Sequence, residues 1–337
     1  MKKKITLALI GYGYWGPNIA RILSRLKKVK FKYICDIDKK KLNLSSQIYP
    51  DVMLSENIEK ILADSDVDAV SIATPDETHY NIAKKILLSG KHCIVEKPFV
   101  LNKSHADELF DISENVKRIL FIGHTYLFSK GITTLKKIME TENVGKIKYA
   151  VSQRNNFGIL RTNINALWDL LPHDLSIFIY LLNDYPEYVS CTGKSYIKSK
   201  LEDVIFCTLF FKNDIMINIT ANRIYPEKVR NIVVAGENKM LKYDDISGQD
   251  NVVVFDKNIK YSDKTGITEY FNSGRKNIRF KIVEPLKVEY ENFIRCILND
   301  NYNSNKIYTD RTFNVSIIKI LEKIQLSLLK NGKKIKI

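Results

Sequence analysis

The hexapeptide Gly11-Tyr12-Gly13-Tyr14-Trp15-Gly16 directly follows the six-residue apolar run Ile5–Ile10 and opens the amphipathic stretch Pro17–Leu26. Such a placement commits the start of the chain to a strand, a tight turn and a helix. The first glycine permits the turn, the second lets backbone approach a pyrophosphate, and the third allows close helix–strand contact. Pro17 suits the first helical turn, and the amides there face outward, towards an anion. Asp36 ends the next strand-like run, Phe31–Cys35, twenty residues after Gly16. At that spacing a carboxylate accepts hydrogen bonds from adenosine ribose hydroxyls. It also repels a 2′-phosphate, so NAD is expected over NADP, a preference softened by Lys39-Lys40-Lys41. By itself the glycine pattern is compatible with a structural turn; strand, helix and acid together make it a dinucleotide site that includes Tyr14 and Trp15.

Short β-branched runs continue to about Gly123: Ala69–Ala73, Cys93–Glu96 and Ile119–Ile122, with amphipathic stretches at Asn57–Ala63, Thr78–Leu88 and Ser104–Asn115. This alternation predicts a parallel sheet covered on both faces. Beyond a bridging helix at Ile132–Glu140 the texture changes to longer alternating runs at Ile147–Arg154, Glu187–Ile197, Asp203–Phe211, Ile215–Ala221, Val229–Ala235 and Asn251–Asp256. Helical patterns remain at His173–Leu182, Pro285–Leu298 and Thr312–Leu329. Strands with few intervening helices indicate a mostly antiparallel sheet, helices on one face and the other free for a partner subunit. The expected architecture is an α/β domain over 1–125 and an α+β domain over 126–337. A length of 337 residues accommodates two such cores.

Charge and cysteine content narrow the function classes. Net charge is 53 − 38 = +15, but only 11 of the 53 basic residues are arginine, and the lysines are spread along the chain. A solvated lysine surface is expected, with no nucleic-acid stripe, since bidentate recognition favours arginine. Cys35, Cys93, Cys191, Cys207 and Cys296 are scattered without a C-x-x-C pair, which points to neither a disulfide framework nor a metal site and is most simply read as reduced cytoplasmic thiols. No uncharged apolar stretch approaches the ~18 residues of a membrane span. The run after Met1-Lys2-Lys3-Lys4 is too short for a signal peptide.

Two further segments carry chemistry. Glu96-Lys97-Pro98 closes the Cys93–Glu96 strand at the carboxyl edge of the sheet, where ligands of open α/β folds sit. A loop ion pair would account for it; so would a lysine aimed at a reacting oxygen to stabilise developing negative charge. In Trp168-Asp169-Leu170-Leu171-Pro172-His173-Asp174, Pro172 places the helix start near Leu170 with Asp169 as N-cap. Asp169 and His173 then lie one turn apart, able to approach one ligand, and imidazole is matched to proton exchange near neutrality. A capping aspartate and a core histidine are the alternatives.

With these segments in view, Gly11–Asn18, Ala73-Thr74-Pro75-Asp76-Glu77-Thr78-His79, Glu96-Lys97-Pro98, Gly123-His124-Thr125-Tyr126 and Asp169–His173 resemble, in the right order and over nearly the whole chain, the glucose-fructose oxidoreductase/inositol dehydrogenase/rhizopine-catabolism (Gfo/Idh/MocA) family. The resemblance implies a Rossmann domain and an open-faced C-terminal sheet that forms homodimers or homotetramers. It also implies reversible NAD(P)-dependent oxidation of a sugar or polyol carbinol. Carried over motif by motif, Lys97 contacts nicotinamide ribose and substrate hydroxyl, His173 acts as acid/base, and Asp169 positions the hydroxyl. Thr74, Pro75, His79 and Glu96 border the dinucleotide, with a loop hydrogen bond as the alternative for His79, one turn into its helix. Many members have glycine where this chain has Leu171, which weakens transfer of any one member's substrate.

From Arg154 to His173 the chain is dense in amide and guanidinium groups, among them Arg154, Arg161 and Asn165, with Trp168 close behind. These suit a polyhydroxylated ring with an anionic tail, and Tyr126 is placed to face the same cleft; polar loop structure is the alternative. His124 reads as structural, and His92 and His105 as ordinary residues. The A-L-W-D-L-x-P-H-D-x-S form resembles members associated with nucleotide-sugar and surface-polysaccharide biosynthesis. The expected substrate is therefore a nucleotide-linked sugar oxidised or reduced at ring C3. The alternatives are a free sugar or inositol and, in a different class, a non-catalytic NAD-binding regulatory or scaffold protein.

Overall fold

The computed structural model describes residues 4–158, 163–198, 200–248, 251–298 and 306–337. Two compact units divide the chain: Met1–Thr125 with Glu284–Ile318, and Tyr126–Val283 with Lys319–Ile337.

The first unit runs β1 (Ile5–Ile10), α1 (Gly16–Arg25), β2 (Val29–Cys35), α2 (Lys39–Ile48), β3 (Met53–Ser55), α3 (Ile58–Ala63), β4 (Ala69–Ile72), α4 (His79–Leu88), β5 (His92–Glu96), α5 (Lys103–Asn115) and β6 (Leu120–Gly123). Its six strands are all parallel, in the order β3-β2-β1-β4-β5-β6. Every residue of β1, β4 and β6 is buried, which is why these strands read as unbroken apolar runs rather than alternating ones. Strand order reverses between β1 and β4, opening a crevice at their carboxyl ends. Asp38, Asn57 and Asn102 cap α2, α3 and α5 with side-chain oxygens that accept backbone N–H bonds.

In the second unit come α6 (Lys130–Thr141), β7 (Ile147–Phe157), α7 (Ala166–Leu182), β8 (Tyr188–Lys194), β9 (Val204–Phe210), β10 (Met216–Asn222), β11 (Ile224–Gly236), β12 (Met240–Asp244), β13 (Val252–Ser262) and β14 (Ile267–Ile278). The chain then returns to the first unit as α8 (Pro285–Leu298), enters α9 (Arg311–Leu329) and closes in the second unit with β15 (Ile335–Lys336). The nine strands are ordered β14-β13-β12-β11-β7-β10-β9-β8-β15, and only the β7–β10 pair is parallel. α7 packs on β9 and β10. Phe206, Met216 and Tyr149 share the opposite face and are exposed.

Two expectations are corrected, and one helix has no counterpart among them. Residues 284–318 belong to the first unit, not the second: α8 packs on α1, and Phe121 of β6 meets Phe293 and Tyr308 at centroid separations of 5.5 and 5.4 Å. α2 escapes pattern reading because it buries only Leu42 and Ser45. α7 starts at Ala166, with Asn165 rather than Asp169 as N-cap, and carries Pro172 in its interior. Asn165 captures Trp168 N–H, and Arg223 donates to the Ile164 and Asn165 carbonyls at 2.9 and 2.7 Å, so the turn before the proline is fixed from outside the helix.

Candidate active site

In the first unit the glycine turn is built as its spacing requires. Gly11 has φ +95°, and a Cβ there would lie 2.5 Å from the Ala73 carbonyl oxygen. A Cβ on Gly16 would strike the Gly11 carbonyl oxygen, whereas one on Gly13 would meet nothing within 4 Å. Gly13 thus leaves its backbone open on the ligand side, and α1 has Trp15 at its N-cap with no side-chain cap, the arrangement of a helix terminus that receives phosphate. Asp36 is pinned at the tip of β2: Tyr12 N–H donates to Oδ2 at 2.6 Å and Asp38 N–H to Oδ1 at 2.9 Å. Lys41 stands 3.9 Å from that carboxylate and Lys39 3.6 Å from Glu56, so two of the three lysines face acids. Tyr14 and Ile37, 75% and 90% exposed, offer apolar surface beside the turn; Ile37 carries no periodic signal by which sequence could have marked it. These residues fit a dinucleotide with an unphosphorylated ribose.

At the end of β5, Trp15 Nε1 donates to Glu96 Oε1 at 2.9 Å, tying the glycine turn to the strand that carries Lys97. Lys97 is half-buried and joined to Pro98 by a cis peptide bond. Thr74 and Thr78 share a hydroxyl hydrogen bond of 2.7 Å beside exposed Pro75. His79 is 1% exposed, with Nδ1 2.9 Å from the Pro98 carbonyl and Nε2 2.9 Å from that of Thr74. Of its two expected places, on the dinucleotide or on a loop, the structure shows the loop: the ring lies between two backbone carbonyls and braces the Thr74 and Pro98 loops against each other. His124 donates from Nε2 to Asn314 Oδ1 at 2.9 Å, because the Asn314 amide nitrogen already serves three carbonyls. Burial depresses its pKa to about 4 against the opposing Asn314 bond, and Lys97 adds to the depression. The ring is neutral.

In the second unit, α7 places Asp169 and His173 one turn apart. Arg223, at the end of β10 and invisible to any local motif, holds the Asp169 carboxylate at 3.2 Å while bound to the helix-entry carbonyls. The His173 ring meets Tyr126 edge to face, centroids 4.6 Å apart. Arg154 lies over Tyr126 at 4.4 Å and Arg230 approaches it at 5.5 Å. Arg154 as a substrate anion contact is corrected: it is 7% exposed, and its Nε and Nη2 donate to Asp174 at 2.6 and 3.3 Å. Burial works to lower its pKa, and the Asp174 charge more than reverses this. Ser152 donates a further 2.5 Å bond to Asp174. Asn165 is corrected too: its oxygen caps α7 and its nitrogen donates to Glu202 and Gln325, leaving no N–H for a ligand. Trp168 is half-buried beside Asp169. Arg161 lies outside the described residues. The small cavity among Tyr126, Arg154, Asp174, Arg230 and Tyr243 holds no more than about one water, so it supports the Tyr126 plate and is too small for a sugar.

Among the described residues there is no metal-holding group of His, Cys, Asp or Glu, and no helix long and apolar enough to cross a membrane.

Known proteins align with this geometry. The model of an oxidoreductase family with an NAD-binding Rossmann fold matches residues 5–124, and the GFO/IDH/MocA C-terminal domain matches 132–242. The UDP-N-acetylglucosamine 3-dehydrogenase of Acidithiobacillus ferrooxidans is 28% identical over 56% of this chain and 58% of its own. The 2,7-anhydro-N-acetylneuraminate hydratase of Mediterraneibacter gnavus is 25% identical over 57% of this chain and 53% of its own. Alignments with these two curated relatives thus span little more than half of their length. GenD2 from gentamicin A biosynthesis, solved in complex with NAD, shares the fold at TM-score 0.82 with 18% identity, over 99% of this chain and 97% of its own.

Proposed function

This chain belongs to the Gfo/Idh/MocA oxidoreductase family, and we propose that within it the protein oxidises or reduces ring C3 of a nucleotide-linked sugar in the cytoplasm, in the synthesis of a surface polysaccharide. One observation carries the reading: α7 holds an aspartate fixed by a buried arginine one turn from a histidine seated on an aromatic plate, in a chain whose other unit ends β5 at Glu96-Lys97.

The Gly11–Gly16 turn and the start of α1 would hold the pyrophosphate of NAD, and Asp36 the adenosine ribose. When bound, the nicotinamide supplies hydride acceptance or donation. His173 takes the proton of the substrate hydroxyl in oxidation and returns it in reduction. The Lys97 ammonium stabilises the negative charge that develops on that oxygen. Asp169, bonded to Arg223, orients the hydroxyl. The name of the Acidithiobacillus relative supports the nucleotide sugar and the C3 position. We assign homodimer or homotetramer formation to the open face of the nine-stranded sheet, to be checked by light scattering.

Turnover of a panel of UDP-, GDP- and dTDP-sugars, inositol and free hexoses with NAD and NADP tests the reading. NAD-linked turnover confined to nucleotide sugars is expected; turnover confined to inositol or free glucose, or NAD binding without turnover, would overturn it. His173→Asn and Lys97→Ala are each expected to lower kcat about 10²-fold or more with NADH binding retained.

A further inference from the structure

The first unit contains an acid that its motifs do not announce. Glu289, on the inner face of α8, is 0% exposed. Its Oε2 accepts from the Thr125 hydroxyl at 2.8 Å, and Oε1 has no hydrogen-bond partner among the described residues. The adjoining Tyr290 hydroxyl is 2.5 Å from Ser71 of β4, so α8 is anchored to the sheet beside this carboxyl. Thr125 follows Gly123, the β6 residue paired with Glu96 of β5. A Cβ on Gly123 would sit 3.4 Å from Glu96 Oε2, and the other oxygen of Glu96 receives the Trp15 indole.

We propose that Glu289 is a positioning residue for the Glu96–Lys97 corner, a buried neutral acid that fixes the end of β6 through Thr125. This rests on the reading of that corner as the nicotinamide end of the dinucleotide site. A carboxyl removed from water with a hydroxyl as its only hydrogen-bonding neighbour keeps its proton. Burial pushes its pKa well up, and the Glu96 charge pushes it further. Neutrality matters here because a second anion beside Glu96 would draw the Lys97 ammonium back from its oxygen and strain the Trp15–Glu96 link. Thr125 bonds Glu289 and the Glu96 charge acts on it, while Ser71 of β4 and Cys93 of β5 act on the adjoining Tyr290, and His124 precedes Thr125 after β6. Cys93 and Tyr290 are themselves pushed upward by burial, and His124 is neutral. No cation among them is bonded to Glu289.

The test uses the full-length protein in a Trp168→Phe background, which leaves Trp15 as the sole indole of the two tryptophans. Emission of Trp15 without substrate is followed as pH rises, and NADH affinity is measured by fluorescence titration at neutral pH. With Glu289 present, a transition in Trp15 emission is expected above the pH range in which a glutamate ordinarily ionises, as the second carboxyl is forced to ionise. Glu289→Gln, which keeps the acceptor for Thr125 and cannot ionise, is expected to abolish that transition and hold NADH affinity within about threefold. Glu289→Leu is expected to weaken NADH binding about tenfold, the scale of one lost hydrogen bond that strands a buried hydroxyl. An unchanged transition in Glu289→Gln, affinity in Gln as poor as in Leu, or a folded Leu variant with undiminished affinity each overturns the proposal. Neither readout needs sugar turnover, so failure of the substrate panel leaves the test of Glu289 intact.

Discussion

The two units build their functional surfaces by opposite means. In the first, backbone does most of the work: glycines clear space, a helix end points its amides outward, and Asp36 is held by two main-chain N–H groups. In the second, ionised side chains face one another, Asp169 on Arg223 and Asp174 on Arg154, and the acid/base candidate is supported by an aromatic ring. A backbone-built site tolerates changes that add no atoms, whereas a site of buried paired charges fails when either partner is removed. The contrast can be broken at specific residues.

The largest effect is expected from Asp174→Ala. It would leave the Arg154 guanidinium buried and unpaired, a change that costs about 3–5 kcal/mol, read as a lower denaturant midpoint of the second unit's transition. An unchanged midpoint would show that the pair is not holding the Tyr126 plate. Next comes the pH dependence of the first unit. His124 is kept neutral by burial, with its folded-state pKa lowered from 6.5 to about 4. Its contribution is therefore fully present above 6.5 and is lost as pH falls towards 4, amounting to about 3 kcal/mol at most. The difference in stability between His124→Gln and the parent should shrink through that window as acid is added; a constant difference would refute the assignment.

A smaller, functional effect is expected at Gly13. Because a Cβ there meets no protein atom, Gly13→Ala should leave the melting temperature unchanged yet weaken NAD binding about tenfold or more, the scale of a lost charge-assisted contact. A drop in melting temperature with unaltered affinity would make the glycine structural. The smallest effect is in cofactor choice: Asp36→Ala should narrow the preference for NAD over NADP by about tenfold, as one ribose-directed acceptor disappears.

The same contrast explains what the sequence disclosed. The glycine turn, Asp36 and the Glu96-Lys97 end of β5 were legible because each is a local pattern whose geometry follows from adjacent residues. Asp169 and His173 were legible as one turn of a helix, but the beginning of that helix was not, since the capping amide of Asn165 and the outside support from Arg223 depend on tertiary contacts. Arg154 and Asn165 looked like ligand donors by residue type; whether a polar group faces ligand or protein depends on partners twenty or more positions away, Asp174 in one case and Glu202 and Gln325 in the other. Glu289 and Asn314 were silent for the same reason.

The return of residues 284–318 to the first unit has a consequence for biosynthesis. When Thr125 is added to the chain, the aromatic partners of Phe121 do not yet exist, and 283 − 125 = 158 further residues must be translated before Glu284 is made. At about 5–20 residues per second the nascent amino-terminal half waits roughly 8–30 s with that hydrophobic surface bare. Maturation of the first unit therefore cannot run simply from Ile5 onward; it is completed only after the strands β7–β14 of the second unit have been made, and that interval is when a nascent-chain chaperone has most to protect.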